Sequence, residues 1–137
     1  MYRMDKQLET ADARLRLYFA WRETLPGLLD EAKEVSEKLN SYGVVNQAGV
    51  VISKHKQNYS SNIIELMDKE EKLWTEYRNR KAFVDSVEDI LSSLTNEEAE
   101  LINMRYCDQM HLRQIGEILN YSHVQIMRMI DDILEKF

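Results

Sequence analysis

A chain of 137 residues with only four glycines and one proline has little material for turns. A many-stranded β fold needs a turn roughly every 8–12 residues, built from residues that tolerate special backbone angles. Glycine-rich phosphate loops are excluded on the same ground, since neither GxGxxG nor GxxxxGK occurs. The remaining class is all-α, made of long helices. Hydrophobic residues make up 44% of the chain, enough for a packed core rather than a disordered polymer.

Residues 2–40 carry a helical stripe. Met4, Leu8, Ala11, Leu15, Tyr18, Leu25, Leu29, Ala32 and Leu39 recur at steps of three and four, interrupted by Arg22 and Ser36. Pro26-Gly27 falls inside it. A proline there costs one hydrogen bond and crowds the preceding turn, so either a kink or a second helix opening at Thr24 or Leu25 satisfies the pattern. Asn40-Ser41-Tyr42-Gly43 reads as a helix stop. A long connection follows at about 41–61, with a short extended piece at Val50-Val51-Ile52 and a basic cluster at Lys54-His55-Lys56.

The clearest period runs over 62–94. Ile63, Leu66, Leu73, Tyr77, Val84, Val87, Leu91 and Leu94 take the a and d places of a heptad, and Glu70 and Arg80 fill the two others. Such a seam predicts a long helix packed along a narrow face, with the polar intrusions setting register and partner choice. Leu73, Trp74 and Tyr77 form an apolar patch suited to packing. Residues 1–94 therefore read as a coiled-coil-like helical hairpin, and a second domain starts at Thr95.

Thr95-Asn96-Glu97-Glu98 is a capping box, in which the threonine hydroxyl and the glutamate each satisfy a free backbone N–H. The helix it opens should bury Leu101, Ile102 and Met104 or Arg105-Tyr106, and end near Cys107-Asp108-Gln109. From His111 onward the spacing fits a helix-turn-helix. Ile115, Gly116 and Leu119 face inward, with Gly116 where the two helices come close. Asn120 stands at a turn that needs left-handed backbone, which asparagine tolerates best after glycine. Ser122-His123-Val124-Gln125 is a second capping box. Ile126, Met129, Ile130 and Ile133 face inward on the last helix. Ser122, His123, Val124, Met127, Arg128 and Asp131 are left outward near its start, where a recognition helix meets the major groove.

Leu94-Thr95-Asn96-Glu97-Glu98, Ile102-Asn103-Met104-Arg105-Tyr106 and Gln114-Ile115-Gly116-Glu117-Ile118-Leu119-Asn120-Tyr121-Ser122 together resemble the fourth region of bacterial sigma factors. The likeness is closer to phage-encoded relatives of that region, the ArpU-type regulators of phage late genes and a related phage and prophage family. It implies a C-terminal three-helix DNA-binding unit of the sigma-region-4 type with a helical hairpin ahead of it. It is specific over residues 95–137 and architectural before them. Gly116 replaces the family's usual alanine, a change expected to be sterically neutral.

Charge and chemistry narrow the function classes. The chain carries 18 basic and 24 acidic residues, a net charge of −6, which offers no bulk attraction to nucleic acid. Residues 95–137 hold four basic and eight acidic residues. The single cysteine, Cys107, excludes an internal disulfide and a multi-cysteine zinc site, and fits a reducing compartment. His55, His111 and His123 lack ligand spacing, and the carboxyls lie scattered on helix faces. No catalytic residue, metal or cofactor is expected. No apolar run suits a membrane span and no signal-peptide core stands at the start, so the cytoplasm is the expected location.

The expected function is that of a phage-type transcriptional regulator. Ser122, His123, Val124, Gln125, Met127 and Arg128 would face bases, and Arg105, Arg113 and Lys136 would hold phosphates of double-stranded DNA. Ile115, Gly116, Leu119, Asn120, Ile126 and Met129 would shape the unit. The hairpin would form a homodimer or dock on RNA polymerase. Two other readings keep the same fold: a protein-interaction module that binds no DNA, and a DNA-packaging adaptor.

Overall fold

The structure is a computed structural model that describes residues 6–43 and 60–137, with the backbone alone for residues 6–8. Among the described residues every regular element is helical. The order is α1 (Lys6–Ser41), α2 (Ser61–Ser92), α3 (Asn96–Ile102) with a π-helical turn at Asn103–Cys107, α4 (Leu112–Leu119) and α5 (His123–Leu134). The all-α class thus follows from the helical period and the shortage of turn residues. The proposed extended piece at Val50-Val51-Ile52 and the cluster Lys54-His55-Lys56 lie outside the described residues.

Helix α1 runs 36 residues and passes through Pro26. A fresh helix at Thr24 or Leu25 does not form, because the apolar stripe keeps its phase across the proline: Tyr18 and Ala32 are both buried and stand about four full turns apart along α1. Proline has no N–H to give to the Arg22 carbonyl. The helix stops as expected, with Gly43 at φ +77° and its N–H bonded to the Asn40 carbonyl at 3.0 Å.

Packing divides the residues into two compact units, and the division crosses α1 at Arg22–Glu23, beside the carbonyl that Pro26 leaves without its helical donor. In the unit Glu23–Ala82, Ala32, Val35, Leu39, Met67 and Leu73 form a buried cluster, flanked by Leu28, Ile63, Leu66 and Trp74. Ser36 and Glu70, two of the four residues that break the apolar stripes, are buried there together. The Ser36 hydroxyl donates to Glu70 Oε2, and Trp74 Nε1 donates to Ser36 Oγ at 3.0 Å. Glu70 Oε1 is buried with no hydrogen-bond partner. Arg80, the other polar residue on the heptad, behaves differently: it is half-buried and pairs with Glu76 one turn back on α2.

The other unit joins the part of α1 up to Arg22 with Phe83–Phe137. Here α1 and the end of α2 run antiparallel, Trp21 meeting Phe83 edge-on at 5.2 Å and Tyr18 donating to Glu88 Oε1 at 3.2 Å. Leu15, Tyr18, Val84 and Val87 are buried within it. The change of pattern at Leu94–Thr95 is a helix boundary inside this unit, where Thr95 caps α3.

Candidate nucleic-acid interface

Residues 95–137 form three short helices around one apolar core. Leu101 and Ile102 of α3, Tyr106 of the π-helical turn, Ile115 of α4, and Ile126, Ile130 and Ile133 of α5 are buried. Both α3 and α4 pack on α5. The capping box at Thr95 forms as its spacing requires. Glu98 N–H donates to Thr95 Oγ1 at 3.2 Å and Thr95 N–H donates to Glu98 Oε1 at 3.0 Å. That backbone donor, with Lys136 as a second partner at 3.2 Å, holds the Glu98 carboxyl below the usual glutamate range.

The turn between α4 and α5 is three residues long, and each has a separate task. Asn120 adopts φ 63°, ψ 42°, the left-handed conformation that ends α4. Its N–H and that of Tyr121 both reach the Gly116 carbonyl, the latter at 2.9 Å. A Cβ on Gly116 would stand 2.4 Å from the Tyr121 carbonyl oxygen. Glycine in place of the family's usual alanine is thus sterically harmless, as expected, and the reverse change is not: the chain has closed onto Gly116 with backbone, which cannot swing aside as a side chain could. Ser122 then caps α5. Gln125 N–H donates to Ser122 Oγ at 3.2 Å, and Ser122 N–H donates to Gln125 Oε1 at 3.0 Å.

The residues expected to face bases separate into groups. Ser122, His123, Val124, Gln125 and Arg128 are exposed at and after the start of α5. Met127 departs from the expected outward placement. It is half-buried and lines a small cleft with Asp12, Arg105, Tyr106, Leu112, Ile130 and Asp131. The reason is angular: positions 126, 130 and 134 define the buried side of α5, and residue 127 lies beside it rather than opposite. The cleft holds about 100 Å³, well under the roughly 300–1,000 Å³ of small-molecule sites.

The three residues expected to hold phosphates also differ. Arg113 is exposed on α4. Arg105 is half-buried and its Nη1 donates to the Met110 carbonyl at 2.9 Å, closing the turn that carries Gln109 at φ 55°. That donor is committed inside the fold, while the guanidinium carries four further N–H donors. Lys136 pairs with Glu98 across 38 residues of sequence. Of four basic side chains in residues 95–137, Arg113 and Arg128 are the two that make no ion pair or side-chain hydrogen bond among the described residues.

The structural residues stand close to expectation. Ile115, Gly116 and Ile126 are buried, while Leu119 and Met129 are half-buried. Leu134 is also buried and continues the Ile126, Ile130 spacing of four, so the period announced it. Tyr106 has a partner that no local pattern announces: its hydroxyl donates to Asp12 Oδ1 at 2.6 Å across 94 residues of sequence. Asp12 Oδ2 also accepts from Arg16 Nε at 3.0 Å, and the Arg16 guanidinium lies 5.3 Å from the Tyr106 ring centre. Burial, reinforced by the Asp12 carboxylate, pushes the Tyr106 phenol well above its ordinary range. A second feature that pattern reading passed over is apolar surface. Among the described residues, three of the five exposed large hydrophobic residues, Ile118, Tyr121 and Val124, fall within seven positions around the turn.

No protein-family model, curated protein or solved structure matches this chain. Among the described residues there is no group of three or more His, Cys, Asp or Glu placed to hold a metal ion. No described helix is long and apolar enough to cross a membrane.

Proposed function

We propose that residues 95–137 are a helix-turn-helix unit that places α5 in the major groove of double-stranded DNA, and that the chain is a phage-type transcriptional regulator. The turn carries this reading. A left-handed Asn120, a Gly116 with no room for a methyl, and a Ser122 cap two residues later fix a tight angle between two short helices. They leave the first turn and a half of α5 exposed through His123, Val124, Gln125 and Arg128. Arg113 on α4 and Arg128 on α5 supply the cationic contacts, and Lys136 joins them if a phosphate displaces Glu98. With so few free cations, one copy binds weakly. A second copy, or RNA polymerase held through α1 and α2, supplies the remaining affinity in this proposal.

The cytoplasm is the compartment in which this role would be exercised. The test is retention of the full chain on a pool of random duplexes at low salt, followed by sequencing. An enriched motif supports the proposal; retention without a motif or no retention opposes it. A second reading, a protein-interaction module of the same fold, is favoured by one observation. Ile118, Tyr121 and Val124 expose apolar surface on a segment whose charge is negative. A packaging-adaptor role draws on no further feature of the structure.

A further inference from the structure

The capping box at the start of α5 decides which hydrogen-bonding groups are left to face outward. Ser122 Oγ accepts from the Gln125 N–H, and Gln125 Oε1 accepts from the Ser122 N–H. Both side-chain oxygens are turned onto backbone. The group that Gln125 presents outward is therefore its amide NH2, a donor. Arg128, one turn further along, is donor only. Val124, about 40° round the helix from Arg128 and on the side of α5 away from buried Ile126 and Ile130, is 37% exposed and apolar. Met127 and Asp131 are withdrawn to the cleft beside Asp12 and Arg105. His123 is the remaining first-turn side chain, and it sits about 140° round the helix from Arg128, against about 60° for Gln125. Asp132 lies a full turn past Arg128.

Bases differ in what they need from such a surface. Adenine N6 and cytosine N4 are donors in the major groove and require an acceptor. Guanine offers N7 and O6, and thymine offers O4 and its C5-methyl, so both require donors or an apolar partner. The outward start of α5 supplies two donors and one isopropyl group. We infer that α5 reads keto bases, with Val124 against the C5-methyl of a thymine and Arg128 on N7 and O6 of a guanine. This inference rests on the DNA-binding reading and adds to it the base chemistry of the site.

The experiment takes the sequence enriched by the full chain from random duplexes at low salt. Each thymine is replaced in turn by deoxyuridine, which removes only the methyl, and each guanine by 7-deazaguanine, which removes only N7. One deoxyuridine should weaken binding by the parent chain about three- to fivefold, the value of one methyl withdrawn from water. Val124→Ala should bind the thymine and deoxyuridine duplexes equally; alanine on this exposed helical position preserves the fold, which circular dichroism checks. One 7-deazaguanine should weaken the parent about tenfold and leave Arg128→Ala unaffected. Indifference of the parent chain to every deoxyuridine overturns the inference while leaving DNA binding intact, and that arm needs no variant. A deoxyuridine loss that persists in Val124→Ala also overturns the assignment to Val124. A pool from which no sequence is enriched overturns the DNA-binding reading itself, and this inference with it.

Discussion

Asn120 and Gly116 constrain the α4–α5 turn in different ways, and the difference can be measured. At Asn120 the constraint is backbone angle, φ 63°. Asn120→Gly should be neutral or slightly stabilising, whereas Asn120→Val should cost about 1–2 kcal/mol, because a β-branched residue is strained there. At Gly116 the constraint is space. Alanine would gain about 1 kcal/mol in helix propensity, yet its methyl would meet the Tyr121 carbonyl oxygen at 2.4 Å. Overpacking against backbone typically costs about 1–3 kcal/mol, so Gly116→Ala should lower the melting temperature. A rise would mean that the two helices are not held this close. Glu98 gives a pH test. Its carboxyl is held below the ordinary value by the Thr95 N–H first and by Lys136 after it. A carboxyl depressed in the folded state contributes stability above its unfolded value, lost as pH falls through the folded one. Stability should therefore decline below about pH 4.5, and Glu98→Gln, which keeps a cap acceptor, should flatten that part of the curve. Tyr106 has the opposite sign: its phenol is raised, so it favours the folded state at every pH below the ordinary tyrosine range. In an alkaline absorbance titration it should ionise last, together with unfolding.

Among the elements, the meeting of α1 and α2 around Ser36, Glu70 and Trp74 is the place where polarity interrupts an apolar seam. A buried oxygen without a partner costs about 1–3 kcal/mol, and Glu70 Oε1 is such an oxygen. Glu70→Met should stabilise the chain by about 1 kcal/mol or more, since Ser36 can turn its hydroxyl to its own helix backbone. Glu70→Gln should not, because its amide would leave buried donors in the same place. Chemical denaturation of the three chains separates the cases, and a Glu70→Met chain less stable than the parent would show that the seam depends on the carboxyl. The heptad pattern made Glu70 and Arg80 equivalent, and the structure does not. One is wholly buried and the other pairs with Glu76 at the edge of the seam, a difference set by a few tens of degrees around α2 that a seven-residue repeat does not resolve. What was legible in the sequence was local. The caps at Thr95 and Ser122, the left-handed Asn120 and the spacing of Ile126, Ile130 and Ile133 are all decided within four residues. Tyr106 with Asp12, and Lys136 with Glu98, join residues far apart in sequence. No period carries such pairs, and one of them occupies Lys136.

For the whole molecule the decisive quantity is charge. A net −6 chain with Arg113 and Arg128 as its two unengaged cations in residues 95–137 gains little from counterion release. The salt dependence of DNA binding should be shallow, with log K falling by about two to four per tenfold rise in salt for each bound copy. A slope near ten would require cations that the α4–α5 face does not present. Paired binding is the expected remedy for weak single contacts, so light scattering should find mass rising with concentration toward a dimer; a constant monomer mass would leave polymerase as the proposed second anchor. The central claim, that α5 reads DNA, is tested most directly by anisotropy titration of parent and Arg128→Ala chains on the enriched duplex at two salt concentrations. The account predicts that the parent binds with the shallow slope, that Arg128→Ala loses about 1–3 kcal/mol, and that Asp132→Asn binds more tightly than the parent. An Arg128→Ala chain that binds like the parent, or a parent that binds at neither salt, would contradict it.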